Sequence, residues 1–123
     1  MLRGVPPKPR YDPGEVSAAV ERVLSGSYEK ADLALAVRGL AQELARVAPG
    51  RHVECRVPPY TAVQCVEGPR HTRGTPPNVV EAEPLAFVEL CAGRLDWSAA
   101  TCSGRVKTWG DRADLSRWLP LLP

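Results

Sequence analysis

One change of hydrophobic period, at Pro49-Gly50, constrains the fold of this chain more than any other feature. Before it, over about residues 30–48, apolar side chains recur every three or four residues, which predicts an amphipathic helix. These apolar positions are Leu33, Val37, Leu40, Leu44 and Val47. After it, Val53, Cys55 and Val57 alternate with polar residues, which predicts a half-buried strand. We therefore expect a helix that ends at Pro49-Gly50 and leads directly into a sheet.

A second strand follows the first after a loop of three residues, Pro58-Pro59-Tyr60. With this loop length Thr61 falls opposite Val57, Val63 opposite Cys55 and Cys65 opposite Val53. The apolar residues of both strands then share one face, and His52, Glu54 and Arg56 point to the other. The pattern predicts an antiparallel hairpin with one buried face.

The remaining segments supply the rest of an α+β domain. The predicted elements are a helix over about 13–24, a strand over about 78–82, a helix that begins at Pro84, a short helix near 96–102, a strand over about 105–109 and a last helix over about 111–118. We expect helices collected against a mostly antiparallel sheet in which four strands can be recognised. Residues 1–12 are rich in proline and predict a flexible tail before a single domain over 13–123.

Charge and composition exclude several classes of function. The chain has 123 residues, with 16 basic against 14 acidic side chains, so its net charge of +2 gives no general attraction to nucleic acid. No apolar run approaches the roughly 18 residues of a membrane-spanning helix, and the N-terminus lacks an apolar signal core. These features predict a cytoplasmic protein that does not bind nucleic acid.

The cysteines do not predict catalysis or metal binding. Cys55, Cys65, Cys91 and Cys102 lie inside apolar patterns without CxxC spacing, so we expect reduced core thiols. Cys55 or Cys65 could pair with His71 as nucleophile and base, but burial on the strand face would raise the thiol pKa. No nucleophile elbow, phosphate loop or HExxH motif occurs. We expect no enzyme, no cofactor and no metal site.

Several strings of residues resemble one known family. Arg56-Val57-Pro58-Pro59, the long string from His71 to Glu81, and Asp111-Arg112-Ala113-Asp114-Leu115 are similar to the actinobacterial sterol-carrier-like proteins, a bacterial branch of the sterol carrier superfamily. The order of Gly93-Arg94-Leu95-Asp96-Trp97 and the stretch from Ser103 to Gly110 resembles the end of the wider superfamily. The resemblance implies a five-stranded sheet covered by helices, with an apolar tunnel between them. Fatty acids, acyl-coenzyme A, sterols or phospholipids would occupy this tunnel.

The helix that begins at Pro84 carries apolar residues on more than one side, so it needs a second apolar partner besides the sheet. That partner could be a lipid, the last helix or a second copy of the protein. If the partner is a lipid, the residues expected to line its tunnel are Val53, Cys55, Val63, Leu85, Val88, Val106, Leu115 and Trp118. Non-catalytic binding or transfer of a lipid or fatty acyl ligand is the predicted function. The alternative is an interaction or dimerisation module that kept the fold without a working cavity.

Two surface features bear on partners. Arg70, His71 and Arg73 lie among glycines and prolines, and they could hold a carboxylate or phosphate head group or simply brace a long loop. Trp109 shares a strand face with Arg105 and Lys107, which leaves open a transient membrane contact, a homodimer contact or a solvated face.

Overall fold

The computed structural model describes residues 10–68 and 78–122. The predictions for residues 1–9 of the tail, and for Arg70, His71 and Arg73, therefore lie outside the described residues. Within the described ranges the chain forms helices α1 (Pro13–Ser25), α2 (Lys30–Val47), α3 (Pro84–Cys91) and α4 (Trp97–Cys102). The strands are β1 (Val53–Val57), β2 (Thr61–Cys65), β3 (Asn78–Ala82) and β4 (Val106–Trp109). The predicted α+β class is confirmed.

The sheet has the strand order β2-β1-β3-β4. The β1–β2 hairpin has the predicted register, with Val57 opposite Thr61 and Val53 opposite Cys65. The outer pairs are antiparallel, but β1 and β3 at the centre are parallel, with Val53 beside Asn78. The sheet is therefore mixed, which the prediction of a mostly antiparallel sheet describes only in part.

Local signals explain the helix ends. The side chain of Asp12 accepts the backbone N–H of Glu15 at 3.0 Å, and Pro13 fills the first turn of α1, where its missing N–H costs nothing. In α2 the side chains of Glu29 and Asp32 each accept the other residue's backbone N–H as a capping box. Both helices begin where the sequence pattern predicts.

The helices cover the sheet face that carries Val53, Cys55 and Val57. Helix α2 packs across β2, while α1 and α3 pack on α2 and on each other. Gly39 allows the close approach of α1, because a Cβ at this position would lie 2.7 Å from Cγ1 of Val16. The core is fully enclosed around α2 and β1, where Leu40, Leu44 and Val53 are each at most 1% exposed.

The predicted last helix over 111–118 is wrong. Residues Ser116–Trp118 form only one 3-10 turn, after a non-helical stretch. In a helix that began at residue 111, the N–H of Ser116 would donate to the carbonyl of Arg112, but here it donates to Asp114 Oδ1 at 2.8 Å. The N–H of Arg112 donates to the Asn78 side chain, also at 2.8 Å, which fixes the start of this stretch against β3. Beyond the turn, the N–H groups of Leu121 and Leu122 both donate to the carbonyl of Cys91. This C-terminal segment, residues 111–122, is held by tertiary bonds.

Two predictions about surface exposure need correction. Cys102 is exposed, so the prediction of four core thiols fails for this one, while Cys55, Cys65 and Cys91 are buried and free. His52 was expected on the polar face of β1, yet it is only 8% exposed.

Trp109 is 52% exposed, as its predicted strand face allows. Among the described helices, none is both long enough and apolar enough to cross a membrane.

Candidate functional site

A groove of about 620 Å³ opens where the C-terminal end of α2 meets the end of β2 and the C-terminal segment. This volume is within the range of about 300–1,000 Å³ that is common for small-molecule sites. Its lining residues are Val47, Ala48, Pro49, His52, Val66, Glu67, Arg112, Asp114, Ser116, Arg117 and Trp118. We call it the α2 groove.

The α2 end of the groove is closed by backbone hydrogen bonds around Val66. The N–H of Val66 donates to the carbonyl of Ala48 at 2.7 Å, and the N–H of His52 donates to the carbonyl of Val66 at 2.9 Å. Together these bonds hold the residue after β2 between the C-cap of α2 and the start of β1. The apolar wall formed by Val47, Ala48 and Val66 is therefore fixed by the same turn that leads from helix to sheet.

His52 and Asn78 form a buried polar pair beneath the groove. The side-chain oxygen of Asn78 accepts the backbone N–H of Arg112, so its amide nitrogen faces the other way, 3.1 Å from His52 Nε2 and 3.2 Å from the His52 carbonyl. The amide must donate to Nε2, which places the proton of the neutral imidazole on Nδ1. That Nδ1 atom is buried and has no hydrogen-bond partner within residues 10–68 and 78–122.

The ring of His52 lies against the backbone of Gly68. A Cβ at residue 68 would be only 2.7 Å from His52 Nδ1, so any larger residue would push the ring or the chain away. A buried donor without an acceptor costs roughly 1–3 kcal/mol, and in native proteins such groups commonly mark functional sites or bound water. The pair joins β1, β3 and the C-terminal segment at the floor of the groove.

The C-terminal wall of the groove combines charge with an aromatic ring. The guanidinium carbon of Arg117 lies 5.5 Å from the centre of the Trp118 ring, a cation–π distance. The carboxylate of Asp114 accepts a hydrogen bond from the backbone N–H of Ser116. Within the described residues, the side chain of Arg112 takes part in no ion pair or hydrogen bond, although its backbone is anchored by Asn78. The wall thus presents donors together with an apolar surface.

The eight residues predicted to line a tunnel divide into two groups. Val53, Cys55, Val88, Val106 and Leu115 are packed in the core at 2% exposure or less. Val63, Leu85 and Trp118 are half-buried against it. Of the eight, only Trp118 lines the α2 groove. That the other seven line a tunnel stays a prediction.

Burial makes the three core thiols poor nucleophiles. It raises the pKa of Cys65 to about 11 and raises the pKa of Cys55 further, with a smaller contribution from the neighbouring Cys65. The pKa of Cys91 is also well above its usual value, chiefly through burial. In residues 10–68 and 78–122, no group of three His, Cys, Asp or Glu side chains is placed to hold a metal ion.

Sequence reasoning did not identify His52, Asn78, Arg112 or Arg117 as site residues. His52 and Asn78 are 26 residues apart, and Arg112 lies a further 34 residues along the chain, so no spacing in the sequence connects them. One signal was available: Asn78 opens a strand, where asparagine is uncommon, and so suggests a structural hydrogen bond.

A family model with the description "Bacterial SCP ortholog" matches residues 29–121. The match covers about three quarters of the chain, from the N-cap of α2 through the C-terminal segment. All the residues that line the groove lie inside it. No curated protein matches the chain.

Proposed function

This chain belongs to the bacterial sterol carrier protein family, and from that premise we propose that it binds or transfers a lipid or another apolar ligand without chemical change. The observation that carries the proposal is the α2 groove. It lies inside the family match, and one of its walls is the half-buried Trp118, one of the eight residues expected to contact ligand.

The lining of the groove suits an amphipathic molecule. Val47, Ala48, Pro49 and Val66 offer apolar surface on one side, and Trp118 offers an aromatic ring on the other. Val47 is 40% exposed and lines the groove, so its side chain leaves apolar surface that a ligand can cover. Covering these groups with an acyl chain or ring system would remove apolar area from water at about 25 cal/mol per Å².

Binding without catalysis is part of the proposal. The buried thiols would have to lose protons at high energetic cost, and His52 already uses Nε2 to accept from Asn78. A general base needs a nitrogen free to take a proton from the substrate, and the remaining Nδ1 carries one. The site can therefore bind a ligand through its shape, its apolar area and its hydrogen-bond donors.

Native mass spectrometry of the purified protein, before and after organic extraction, tests the proposal. We expect an added mass of one lipid per chain that is lost on extraction and is recovered as one chemical class. A clean apo mass, combined with no uptake of fatty acid, acyl-coenzyme A or sterol, would contradict it.

An interaction or dimerisation module is the second candidate, and one observation favours it. Trp109 is 52% exposed on β4, which is an edge strand of the described sheet, beside the exposed Lys107. A large exposed aromatic residue on an edge strand is a common feature of protein contacts. Light scattering of the native protein and of Trp109→Ala would decide: a dimer that the substitution dissociates supports this candidate, and a monomer in both contradicts it. A cytoplasmic location and a transient membrane contact stay predictions.

A further inference from the structure

We propose that the α2 groove selects an anionic amphiphile, whose carboxylate or phosphate is held by Arg112 and Arg117 while its apolar part contacts Trp118 and Val47. This inference rests on the proposed function and names the ligand class for it. It concerns residues on the C-terminal wall, separate from the head-group residues predicted from the sequence at 70–73.

The two arginines have unused donor capacity. Four arginines elsewhere in the described residues form ion pairs: Arg22 with Asp32, Arg46 with Glu43, Arg56 with Glu54, and Arg105 with both Glu83 and Glu89. Arg112 and Arg117 take part in none of these ion pairs, although both face the same groove. A guanidinium presents a planar fork of N–H donors that matches carboxylate and phosphate oxygens, so these two groups are suited to an anion.

The acidic residues of the groove oppose this preference only in part. Asp114 already accepts the backbone N–H of Ser116 at 2.8 Å, which fixes its carboxylate against its own turn. Glu67, which follows β2, also lines the groove. The arginines and Trp118 line the same groove, and Glu67 is a like charge that an anionic head would have to tolerate. Its removal should strengthen anion binding.

The buried pair of His52 and Asn78 below the groove also favours an anionic ligand. Asn78 fixes the backbone of Arg112 at 2.8 Å, and thereby places the start of this wall against β3. The Nδ1–H of His52, which has no acceptor among the residues that the structure describes, adds the positive end of an N–H dipole to the floor. His52 and Asn78 act here as positioning residues, whereas Arg112 and Arg117 would contact the ligand.

Titration calorimetry with three probes of equal chain length tests the inference. Dodecanoate, dodecyl phosphate and dodecan-1-ol are compared below their micelle-forming concentrations. We expect one or both anions to bind about tenfold more tightly than the alcohol, the ratio typical of one charge-assisted contact. The double variant Arg112→Gln/Arg117→Gln should reduce this preference to within about twofold.

Two further variants make the test specific for charge at the groove. Arg94→Gln removes an exposed arginine that does not line the groove, and it should leave the tenfold preference intact. Glu67→Gln should tighten binding of the anions severalfold and leave the alcohol unchanged. Added salt should weaken the anions selectively, because exposed charges are screened.

The outcomes separate the two proposals. If none of the three probes binds and the protein also takes up no acyl-coenzyme A or sterol, the proposed function fails; if sterol binds and the three probes do not, the anionic ligand class is overturned. If all three bind equally and the arginine variants change nothing, the preference for an anion is overturned while apolar binding stands. Inorganic phosphate provides the last arm: weak or absent binding supports a lipid head group, and binding as tight as that of dodecyl phosphate overturns the amphiphile as ligand.

Discussion

The side-chain oxygen of Asn78 accepts the backbone N–H of Arg112 at 2.8 Å, and this bond joins the first residue of β3 to the C-terminal segment. The same side chain, through its amide nitrogen, contacts His52 at the start of β1. One buried residue thus connects the centre of the sheet to the floor of the α2 groove, through His52, and to its C-terminal wall, through Arg112. Its loss should affect stability and binding together.

Asn78→Ala should lower the free energy of unfolding by about 2–3 kcal/mol, because it leaves the Arg112 N–H and His52 Nε2 without partners in a buried place. Chemical denaturation measures this directly. The control is Gln64→Ala, which removes an exposed amide whose oxygen accepts from Arg51 Nε. It should change stability by no more than about 0.5 kcal/mol. Equal effects of the two substitutions would refute the role given to Asn78.

Gly39 should be required for packing rather than for backbone freedom. Gly39→Ala normally favours a helix by about 1 kcal/mol. Here the new methyl group would collide with Val16 of α1, so we expect a net loss of about 1–3 kcal/mol instead. The double variant Val16→Ala/Gly39→Ala should recover part of that loss in a double-mutant cycle. Stabilisation by Gly39→Ala alone would show that α1 does not pack there.

Thiol exposure gives a third prediction. A thiol reagent should modify one cysteine per native chain, Cys102, and all four after denaturation, because the other three are buried and their thiolate forms are suppressed. The variant Cys102→Ser should show no rapid native reaction. Rapid modification of two or more thiols in the native protein would contradict the packing described for β1, β2 and α3.

Alkaline pH should destabilise the protein through Cys65. Burial raises the pKa of Cys65 from 9.0 to about 11. The unfolded thiol therefore releases its proton first as the pH rises, and the free energy of unfolding falls between about pH 9 and 11. The expected slope from this group is about 1.4 kcal/mol per pH unit. Below pH 9 its contribution is fully present.

Cys65→Ala tests this slope. The variant will be less stable at every pH because it loses buried volume, but its stability should fall less steeply above pH 9 than that of the wild type. Parallel curves for the two proteins over this range would exclude Cys65 as the titrating group.

Trp118 should report ligand binding by fluorescence. It lines the groove, whereas Trp109 lies exposed on β4 and Trp97 begins α4. An apolar ligand that covers Trp118 should shift its emission to shorter wavelength in the variant Trp97→Phe/Trp109→Phe. The shift should disappear in Trp118→Phe. A shift that persists without Trp118 would place the ligand elsewhere.

Local pattern was enough to predict most of the secondary structure. The period of two and the short loop defined the β1–β2 register, and Pro84 together with the apolar run defined the start of α3. The parallel pairing of β1 with β3 was not predicted, because 20 residues separate the end of one strand from the start of the other. Such a connection imposes no register of its own.

The groove was less predictable than the fold, for a related reason. Trp118 was identified as one of the eight residues expected to line a tunnel, and it is the one of them that lines the groove. His52 and Asn78 were not, since their role depends on one hydrogen-bonded pair formed between distant segments. The prediction of a helix over 111–118 was wrong for a similar reason, because the Asp114 side chain accepts the Ser116 N–H that a helix would give to the Arg112 carbonyl.

Photo-cross-linking with a fatty acid that carries a diazirine on its chain tests the central claim most directly, because it records where a lipid sits. After irradiation and digestion, we expect the label on the peptides that contain Val47 and Trp118, and unlabelled fatty acid in excess should abolish it. Label confined to β4 around Trp109, or label that excess fatty acid does not displace, would contradict lipid binding in the α2 groove.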